Sequence, residues 1–406
     1  MSHPGHSASV AWYISGHGLG HASREIEIIN ALGLRLPERL EILIRTSAAQ
    51  WLFERTVRVP VTCVPGTCDT GVVQIDSLRL DAQASVREAA AFYADFDTRV
   101  LEELGFLQAR GVDLVIADAP PLACAAAAMA GVPCIVISNF TWDWIYEGYG
   151  ELFTTQAPDV VPRIRDGYAA ASAGWRLPIH GGFATIDPVV DLPFVARHAR
   201  HQRDDVRGML GLPSDRPLAL SSFGGYGVHD LDLTTLDCLD TWTVVITGRQ
   251  PPVRDLPRGV VFVDEARIYD TGARYEDLVA AVDVVVTKPG YGIVSECVAN
   301  RTAMLYTSRG HFVEYDVMVR EMPKVLRCRF LEQESLLAGR WRTALDALLD
   351  APPPPEMPRT DGAEVAAAWI AERAEMAEST EREQHEDTGN AGTRGEDSPP
   401  GRASRG

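Results

Sequence analysis

The stretch from Thr287 to Glu296 constrains the fold more than any other part of the chain; it reads Thr-Lys-Pro-Gly-Tyr-Gly-Ile-Val-Ser-Glu. It follows the apolar run Val282 to Val286, which is typical of a buried parallel strand, and it leads into Ile293 to Asn300, which predicts a helix. A glycine loop between strand and helix directs unpaired backbone N–H groups and the positive end of the helix dipole at one point. That point favours a phosphate. The alternative is a turn that needs glycine only for its geometry.

Two residues of this stretch carry chemistry that a bare turn does not need. Lys288 could pair with a phosphate as a point charge. Glu296 would lie about one turn into the helix, where its carboxylate can accept hydrogen bonds from the two vicinal hydroxyls of a ribose. As an alternative, Glu296 is an ordinary acid near the start of a helix, where the dipole favours negative charge.

Length and charge limit the partners. With 406 residues the chain is too long for one ordinary core, so two α/β domains are expected. The formal net charge of −18 disfavours a nucleic-acid partner, which would need a basic face. A phosphorylated small ligand is still compatible with this charge, because a glycine loop binds phosphate through backbone dipoles.

Cysteine usage and hydropathy predict a cytoplasmic protein without a transmembrane segment. The seven cysteines are mostly single and lie in apolar surroundings, as reduced intracellular thiols do. No apolar run reaches the roughly 20 residues that span a bilayer. The first residues, Met1 to His6, lack the basic region and the apolar core of a secretory signal.

An earlier glycine loop follows the first predicted strand, Ser9 to Ser15. It reads Gly-His-Gly-Leu-Gly-His over residues 16–21 and leads into a predicted helix from Ala22 to about Leu32. Its glycine spacing differs from that of dinucleotide sites, and the next strand ends in Arg45 where an acid would hold the ribose, so NAD is not expected. A P-loop sequence is absent from the chain, which excludes a P-loop kinase.

His17 and His21 are the candidate catalytic residues of this loop. No third metal ligand lies nearby in sequence, so we expect one histidine to be a catalytic or hydrogen-bonding group and the other to be a local turn residue. Open α/β sheets usually bind ligands at the carboxyl ends of their strands. An imidazole with an ordinary pKa of about 6.5 is the natural general base at neutral pH.

Asp118 ends another predicted strand, Val112 to Ala117. It therefore lies at the same edge of the sheet as His21, where it could orient the ring and stabilise the imidazolium. The alternative is that Asp118 caps the following helix, Leu122 to Ala130.

A segment rich in aromatic residues follows the next predicted strand, Pro133 to Ser138. The segment Asn139 to Tyr146, predicted as a loop, contains Trp142, Asp143 and Trp144. Aromatic rings at the carboxyl end of a strand suit a pocket wall on the acceptor side, where they would stack on an apolar or sugar-like face. They could equally be packed under the domain interface, and both interpretations stay open.

The second half of the chain repeats the pattern. A predicted strand, Leu218 to Phe223, enters the glycine loop 224–227, and a helix is predicted from about His229. Asp230 and Asp232 form a D-x-D sequence at that helix start, where the dipole alone favours acids, so a metal is not expected. After a strand at Ala303 to Tyr306, the loop 307–315 carries Glu314, which could hold sugar hydroxyls or form a surface ion pair.

These patterns predict an α/β protein with two domains. We assign residues 1–180 to an N-terminal domain, 181–215 to a connector, 216–350 to a C-terminal domain, 356–377 to a helix and 378–406 to a disordered tail. The charged run His198 to Arg207 predicts a solvated helix within the connector. Val86 to Gln108 has a helical pattern in the first domain.

Four motifs in this order resemble the glycosyltransferase-like N-terminal domain of plant L-arabinokinases and its stand-alone bacterial relatives. They are residues 16–24, 138–146, 222–225 and 290–296, and the resemblance spans roughly residues 10 to 340. It implies the GT-B architecture, in which two Rossmann-like domains face each other across a cleft. The kinase half of the arabinokinases is absent, so sugar phosphorylation is not implied.

The wider family, with MurG and the plant UDP-sugar transferases, implies roles for matching positions. His21 matches the base that acts on the acceptor hydroxyl, and Asp118 matches its aspartate partner. MurG has one histidine where this chain has His17 and His21, so either could be the base. The residues implied or predicted to bind the donor are Gly224, Gly225, Lys288, Gly290, Tyr291, Gly292, Ser295, Glu296 and Glu314. On the acceptor side we place His17, Gly20, Trp142, Asp143 and Trp144.

The resulting expectation is an inverting, metal-independent, hexosyltransferase-type enzyme without a cofactor. It would move a sugar from a nucleoside-diphosphate sugar, a UDP-sugar, to an unidentified hydroxyl acceptor. The alternatives are a non-catalytic nucleotide-sugar-binding module, a UDP-sugar 2-epimerase of the same architecture, and simple hydrolysis of the donor.

Overall fold

Two parallel β-sheets, each covered by helices, make up the protein in a computed structural model. The structure describes residues 8–36, 40–224, 228 and 230–374. Gly225 and the predicted tail, 378–406, lie outside these residues.

The first sheet has seven parallel strands in the order β3-β2-β1-β4-β5-β6-β7. Its strands are β1 (Ala8–Ile14), β2 (Leu40–Thr46), β3 (Thr62–Pro65), β4 (Leu114–Asp118), β5 (Cys134–Phe140), β6 (Ala173–Gly181) and β7 (Val189–Asp191). Every residue of β1 and β5 is buried, as expected for continuous apolar strands covered on both faces. The register pairs Ile14 with Asp118, so the ends of β1 and β4 meet at one edge.

The second sheet has six parallel strands in the order β10-β9-β8-β11-β12-β13. Its strands are β8 (Leu218–Ser221), β9 (Thr243–Gly248), β10 (Val260–Asp264), β11 (Val284–Thr287), β12 (Ala303–Tyr306) and β13 (Cys328–Phe330). The predicted α/β class is therefore confirmed.

Helices connect the strands and cover both faces of each sheet. In chain order they are α1 (Leu19–Arg35), α2 (Gln50–Thr56), α3 (Ala82–Ala94), α4 (Phe96–Arg110), α5 (Pro121–Ala130), α6 (Trp142–Glu147), α7 (Glu151–Gln156), α8 (Val160–Ala169), α9 (Arg203–Leu210), α10 (Glu265–Asp270), α11 (Tyr275–Ala281), α12 (Tyr291–Asn300), α13 (Tyr315–Val325), α14 (Gln333–Leu337), α15 (Arg342–Leu349) and α16 (362–374). α5 illustrates local control: proline occupies its first turn at Pro121, and Gly131 ends it at a φ of +71°. No helix of the described chain is both long and apolar enough to cross a bilayer.

The last helix returns to the first domain. Ala366 and Ile370 of α16 are fully buried in the core beneath the first sheet, and Trp369 packs edge-on against Trp175 of β6 at 5.2 Å between ring centroids. The chain therefore crosses between the domains twice, so the domains are joined by two covalent links.

Four predicted elements differ in the structure. The segment 139–146 is not a loop, because β5 continues to Phe140 and α6 begins at Trp142. The helix predicted from His198 begins only at Arg203. The helical pattern Val86 to Gln108 belongs to two helices, α3 and α4, that meet at Asp95. His229 lies outside the described residues, and from residue 230 on the structure has a turn and a short 3-10 helix instead of an α-helix.

Candidate active site between the two domains

The first glycine loop is shorter than predicted, and this brings His21 onto a helix. Gly18, with a φ of +77°, precedes α1, which begins at Leu19. Gly20 and His21 thus lie in the first turn of α1, and only 6% of His21 is exposed. Its Nδ1 lies 2.9 Å from Oδ1 of Asp118, the last residue of β4. The two side chains predicted to form a pair are therefore in contact.

Asp118 does not cap the next helix. The residue before α5 is Pro120, and no side chain caps that helix. Burial opposes ionisation of Asp118, but the charges of Arg24 and His21 outweigh it and lower the pKa of the carboxyl group. Asp118 is thus a buried carboxylate that is held by His21 and Arg24.

Arg24 is a third residue in contact with both His21 and Asp118, and its role was not predicted from the sequence. It lies one turn after His21 on α1 and is 8% exposed. Its Nε donates to Asp118 Oδ2 at 2.7 Å, and its Nη2 donates to Asp118 Oδ1. Its Nη1 donates to the side-chain oxygen of Asn139. The only sequence signal was the i, i+3 spacing of a histidine and an arginine at a helix start.

His17 is held on the other side of the loop. The Nε2 of His17 lies 3.2 Å from Nε2 of Gln74, and its ring packs edge-on against Trp142. Burial lowers the pKa of His17 to about 3, with further lowering by His21, Arg309 and Lys288. His17 is a neutral imidazole without a carboxylate partner in the described chain, whereas His21 has one.

The opposite wall begins with helix α12. Its N-cap is Gly290, and its first-turn N–H groups have no partner within the helix. The start of α12 meets the start of α1 closely, because a β-carbon added at Gly292 would lie 3.5 Å from Cα of Gly20. The predicted phosphate position therefore faces the helix that carries His21.

Two cations flank the start of α12. Lys288 Nζ lies 3.3 Å from the position that a β-carbon on Gly290 would take, and it makes no ion pair or hydrogen bond within the described chain. Burial, together with the nearby charge of Arg309, lowers the pKa of Lys288 to about 7, although Glu314 acts in the opposite direction. Arg309 is 4% exposed and donates to Pro289 O at 3.3 Å and to Glu314 at 3.2 Å.

Several donors at this wall lack acceptors in the described chain. They include Nε of Arg309, the hydroxyl of Tyr291 and, from the facing first domain, the hydroxyl of Tyr149. Glu314, predicted to hold sugar hydroxyls, is engaged by Arg309. Since buried polar groups are nearly always hydrogen-bonded, these unpaired donors are suited to an acceptor-rich, anionic group.

Glu296 lies beneath this wall in an ion pair. It is 4% exposed, and both Nε (2.8 Å) and Nη2 of Arg197 in the connector donate to its Oε1. Arg197 also lies 3.4 Å from Glu276. Burial raises the pKa of Glu296, while Arg197 counteracts it. A ribose at Glu296 would have to share the carboxylate with Arg197. Ser295 donates to Gly292 O at 2.9 Å and so supports the helix start.

The aromatic segment is packed inside the first domain. Trp142 is 1% exposed, and its Nε1 donates to Asp69 at 2.9 Å. Trp144 lies against the backbone of Gly181 and Gly182. Asp143 is 3% exposed. Of the two interpretations left open, this burial favours domain packing for Trp142 over a pocket wall.

The 224–227 loop is described only in part. Gly224 has a φ of +71° and is exposed. Asp232 caps the 3-10 helix Leu233–Thr235 by accepting a hydrogen bond from Thr234 N. Asp230 is exposed and lies 3.9 Å from Arg79. Asp232 thus serves local structure, whereas Asp230 lies near a cation of the first domain.

The two domains exchange side chains beside the site. Leu78, on the turn 74–80 of the first domain, is buried in the core of the second sheet. Phe312, on the loop after β12, is buried in the core of the first domain beneath Arg309, whose Cζ lies 3.5 Å from the ring centroid. We call these two insertions the clasp. A cavity of about 20 Å³ is left between the walls, lined in part by Arg24, Asn139, Tyr291 and Ser295.

Comparison with known structures defines the fold. The glycotransferase of kitacinnamycin superposes with a TM-score of 0.57 at 17% identity, covering 94% of this chain and 99% of that one. Phytolacca americana UGT2, complexed with UDP-2fluoro-glucose and pterostilbene, gives 0.57 at 14% identity over 93% and 95%. VinC in complex with dTDP gives 0.54 at 16% identity over 92% and 98%. The chain has the GT-B fold, as predicted.

Comparison of sequences confirms the predicted resemblance. No protein-family model matches the chain. Arabidopsis thaliana L-arabinokinase is 28% identical over 371 residues, 90% of this chain and 34% of the relative. The UDP-N-acetylglucosamine--N-acetylmuramyl-(pentapeptide) pyrophosphoryl-undecaprenol N-acetylglucosamine transferase of Clavibacter sepedonicus is 30% identical over 227 residues, 53% of this chain and 55% of the relative. The match thus spans about a third of the length of the arabinokinase and about half of the length of the transferase.

Proposed function

We propose that this protein is an inverting, metal-independent glycosyltransferase that moves a sugar from a nucleoside-diphosphate sugar to a hydroxyl acceptor. One observation carries the proposal most. The start of α1, with His21 bonded to Asp118 at 2.9 Å, meets the start of α12, where Lys288 has no counter-ion within the described residues. A base and an anion-binding helix end therefore face each other across one gap.

The reaction follows from these positions. In the tautomer whose Nδ1–H donates to Asp118, Nε2 of His21 carries a free lone pair and has no hydrogen-bond partner in the described chain, so it can take the proton of an acceptor hydroxyl. The acceptor oxygen then bonds to the anomeric carbon as the bond from that carbon to the diphosphate breaks. A single displacement of this kind inverts the anomeric configuration.

The leaving diphosphate gains negative charge during this step. The N–H groups of α12 and the cations Lys288 and Arg309 would stabilise it, and fixed donors of this kind act most where water is excluded. Glycines 224, 225, 290 and 292 would let the diphosphate approach the backbone. Tyr291, Ser295, Glu296 and Glu314 complete the proposed donor side.

The proposed donor is a UDP-sugar. The Clavibacter relative is named for UDP-N-acetylglucosamine, and the Phytolacca structure holds a UDP-sugar analogue. VinC was seen with dTDP instead, so thymidine nucleotides are the competing donor class. We assign the acceptor to the domain 1–180, near His17 and Gly20, and the donor to the domain 216–350. The packed segment with Trp142, Asp143 and Trp144 would support the acceptor side from within the domain, since Trp142 packs edge-on against His17.

The proposed location is the cytoplasm. All seven cysteines lie in the described part of the chain and are free thiols, which fits a reducing compartment.

A thermal-shift panel tests the donor. A ligand that binds only the folded state raises the melting midpoint by mass action. We expect UDP and UDP-sugars to raise it and Glu296→Ala to remove the shift. Glu296→Gln, which keeps the shape and one acceptor oxygen, should retain part of it. A response to dTDP alone would change the proposed donor nucleotide from UDP to dTDP, and a response only to NAD or ATP would refute the proposal.

Product analysis then separates the competing activities. Transfer gives a glycoside only when an acceptor is present. Release of free sugar that no acceptor increases indicates hydrolysis, and a new UDP-sugar without acceptor indicates an epimerase. Binding without turnover over a broad acceptor set would leave a nucleotide-sugar-binding module.

A further inference from the structure

We propose that Arg24 is a positioning residue that keeps His21 in its neutral, proton-accepting form by balancing the charge of Asp118. The inference rests on the proposed function, since it concerns the base of that reaction. Arg24 would act through its contacts with Asp118 and His21.

The guanidinium of Arg24 occupies both oxygens of Asp118. Nε donates to Oδ2 at 2.7 Å and Nη2 donates to Oδ1, the same oxygen that lies 2.9 Å from His21 Nδ1. Planar forks of this kind are the strongest carboxylate contacts that a side chain offers. The histidine therefore faces a carboxylate that is already neutralised.

Strand β5 holds the guanidinium in this position. Nη1 donates to Asn139 Oδ1, and Nη2 lies 3.3 Å from Ser138 Oγ. Asn139 in turn donates from Nδ2 to the carbonyl of Pro178 at 2.6 Å. With partners on two sides, Arg24 is fixed against both Asp118 and the histidine ring.

The charge balance decides the state of the imidazole. A buried carboxylate without Arg24 would need another counter-charge, and the adjacent ring would supply it by holding a proton. An imidazolium cannot act as a base. In addition, Nη2 of Arg24 lies 2.9 Å from His21 Nδ1, so the positive charge directly opposes a second ring proton.

Other titratable groups near the ring do not replace Arg24. Glu25 accepts from Trp12 Nε1 at 2.6 Å, and burial raises the pKa of Glu25 well above its usual range. Asp69 accepts from Ser15 at 3.0 Å, and burial raises its pKa.

The remaining neighbours carry no charge that would substitute for the guanidinium. Burial lowers the pKa of His17 to about 3, so this ring is neutral. Burial also raises the pKa of Tyr291 well above its usual range. Arg24 is thus the cation in direct contact with the His21–Asp118 pair.

The test is a ¹⁵N NMR titration of the His21 ring in the full chain, assigned by loss of its signals in His21→Gln. In Arg24→Met we expect the protonated ring to persist to higher pH, with the midpoint raised by about one to two pH units. Arg24→Lys keeps the charge and should stay near the native midpoint. The double variant Arg24→Met, Asp118→Asn removes both charges and should also stay near it.

A second comparison does not require the single variant Arg24→Met to fold. Asp118→Asn alone leaves Arg24 unbalanced, so its midpoint should fall below that of the double variant. Equal midpoints in these two proteins, or a native midpoint in a folded Arg24→Met protein, would overturn the proposal.

Activity supplies a separate readout. The acid limb of the kcat/KM profile should move upward with the NMR midpoint in Arg24→Met, so that high pH recovers much of the rate. A merely structural role would lower the rate at every pH without moving the limb. If no variant transfers sugar while the NMR midpoints move as expected, the proposed function fails and the role of Arg24 stands.

Discussion

The two walls of the interdomain gap differ in how far their polar groups are satisfied. On the N-terminal wall, Asp118 receives three contacts from Arg24 and His21, and the charges cancel. On the C-terminal wall, Lys288 has no partner in the described chain, and Arg309 retains an unpaired Nε there. The Asp118 carboxylate of the first wall is thus neutralised without a ligand, whereas Lys288 of the second wall has no counter-charge in contact within the described chain.

This difference fits the proposed division of labour. A base must hold its geometry and its charge state before substrate arrives, which requires a fully bonded surrounding. A wall that binds an anion keeps its donors free, because donors paired within the protein would have to be released first. Variants that weaken the first wall, the contacts joining the walls, or the second wall test this division of labour.

The largest effect is expected from removing the base. His21→Ala should lower the rate of sugar transfer about 10²- to 10⁴-fold, the usual contribution of a general base. The UDP-sugar thermal shift should remain, because the donor wall is untouched. His198→Ala, at an exposed site where the ring meets the Thr360 carbonyl, is the matched control. A native rate in His21→Ala would refute the assignment.

The clasp joins the two walls, so weakening it should affect stability. Leu78→Ala and Phe312→Ala should each lower the free energy of unfolding by about 2–5 kcal/mol, because buried apolar side chains are lost from cores. Urea denaturation measures this change. Ile75→Ala, on the same turn as Leu78 but 55% exposed, should stay within about 0.5 kcal/mol. Equal effects of Leu78→Ala and Ile75→Ala would show that the insertion contributes nothing.

A smaller effect is expected from Lys288→Met on the donor wall. The pKa of Lys288 is about 7 in the free protein, and a bound diphosphate favours the charged form, so donor binding takes up a proton. Affinity for a UDP-sugar, whose diphosphate does not titrate here, should therefore fall as pH rises through 7. Lys288→Met should bind about tenfold more weakly at pH 6 and lose most of this dependence.

Calorimetric titration between pH 6 and 9 measures both quantities. Lys324→Met, at a surface ion pair with Glu321, is the control and should leave affinity and pH dependence as they are. A Lys288→Met protein that retains the native pH dependence would mean that another group carries the proton.

The smallest effect is expected from removing divalent cations. Transfer should change less than about twofold with EDTA, because lysine, arginine and helix N–H groups supply the positive charge. Asp232→Ala should lower stability slightly through loss of a cap and leave the rate unchanged. Strict dependence on Mg²⁺ or Mn²⁺ would contradict the metal-independent mechanism.

Local patterns predicted much of the scaffold. The strand Ala303–Tyr306 has the predicted bounds, because its apolar spacing and flanking residues are local signals. The prediction of a loop over the aromatic segment was wrong, since six residues from Trp142 to Glu147 are too few for a helical period to show. The prediction that a helix begins at His198 was wrong because charge alone does not specify a helix.

The sequence by itself determined the two α/β sheets, the glycine loops and the meeting of His21 with Asp118, because alternating strands and helices predict parallel sheets whose strands end at one shared edge. Only the tertiary structure decided that Arg24 holds Asp118 94 residues away and that Arg197 holds Glu296 99 residues away. An arginine can reach several carboxylates in principle. Which one it neutralises depends on which of them the fold buries beside it, since a buried charge requires a partner.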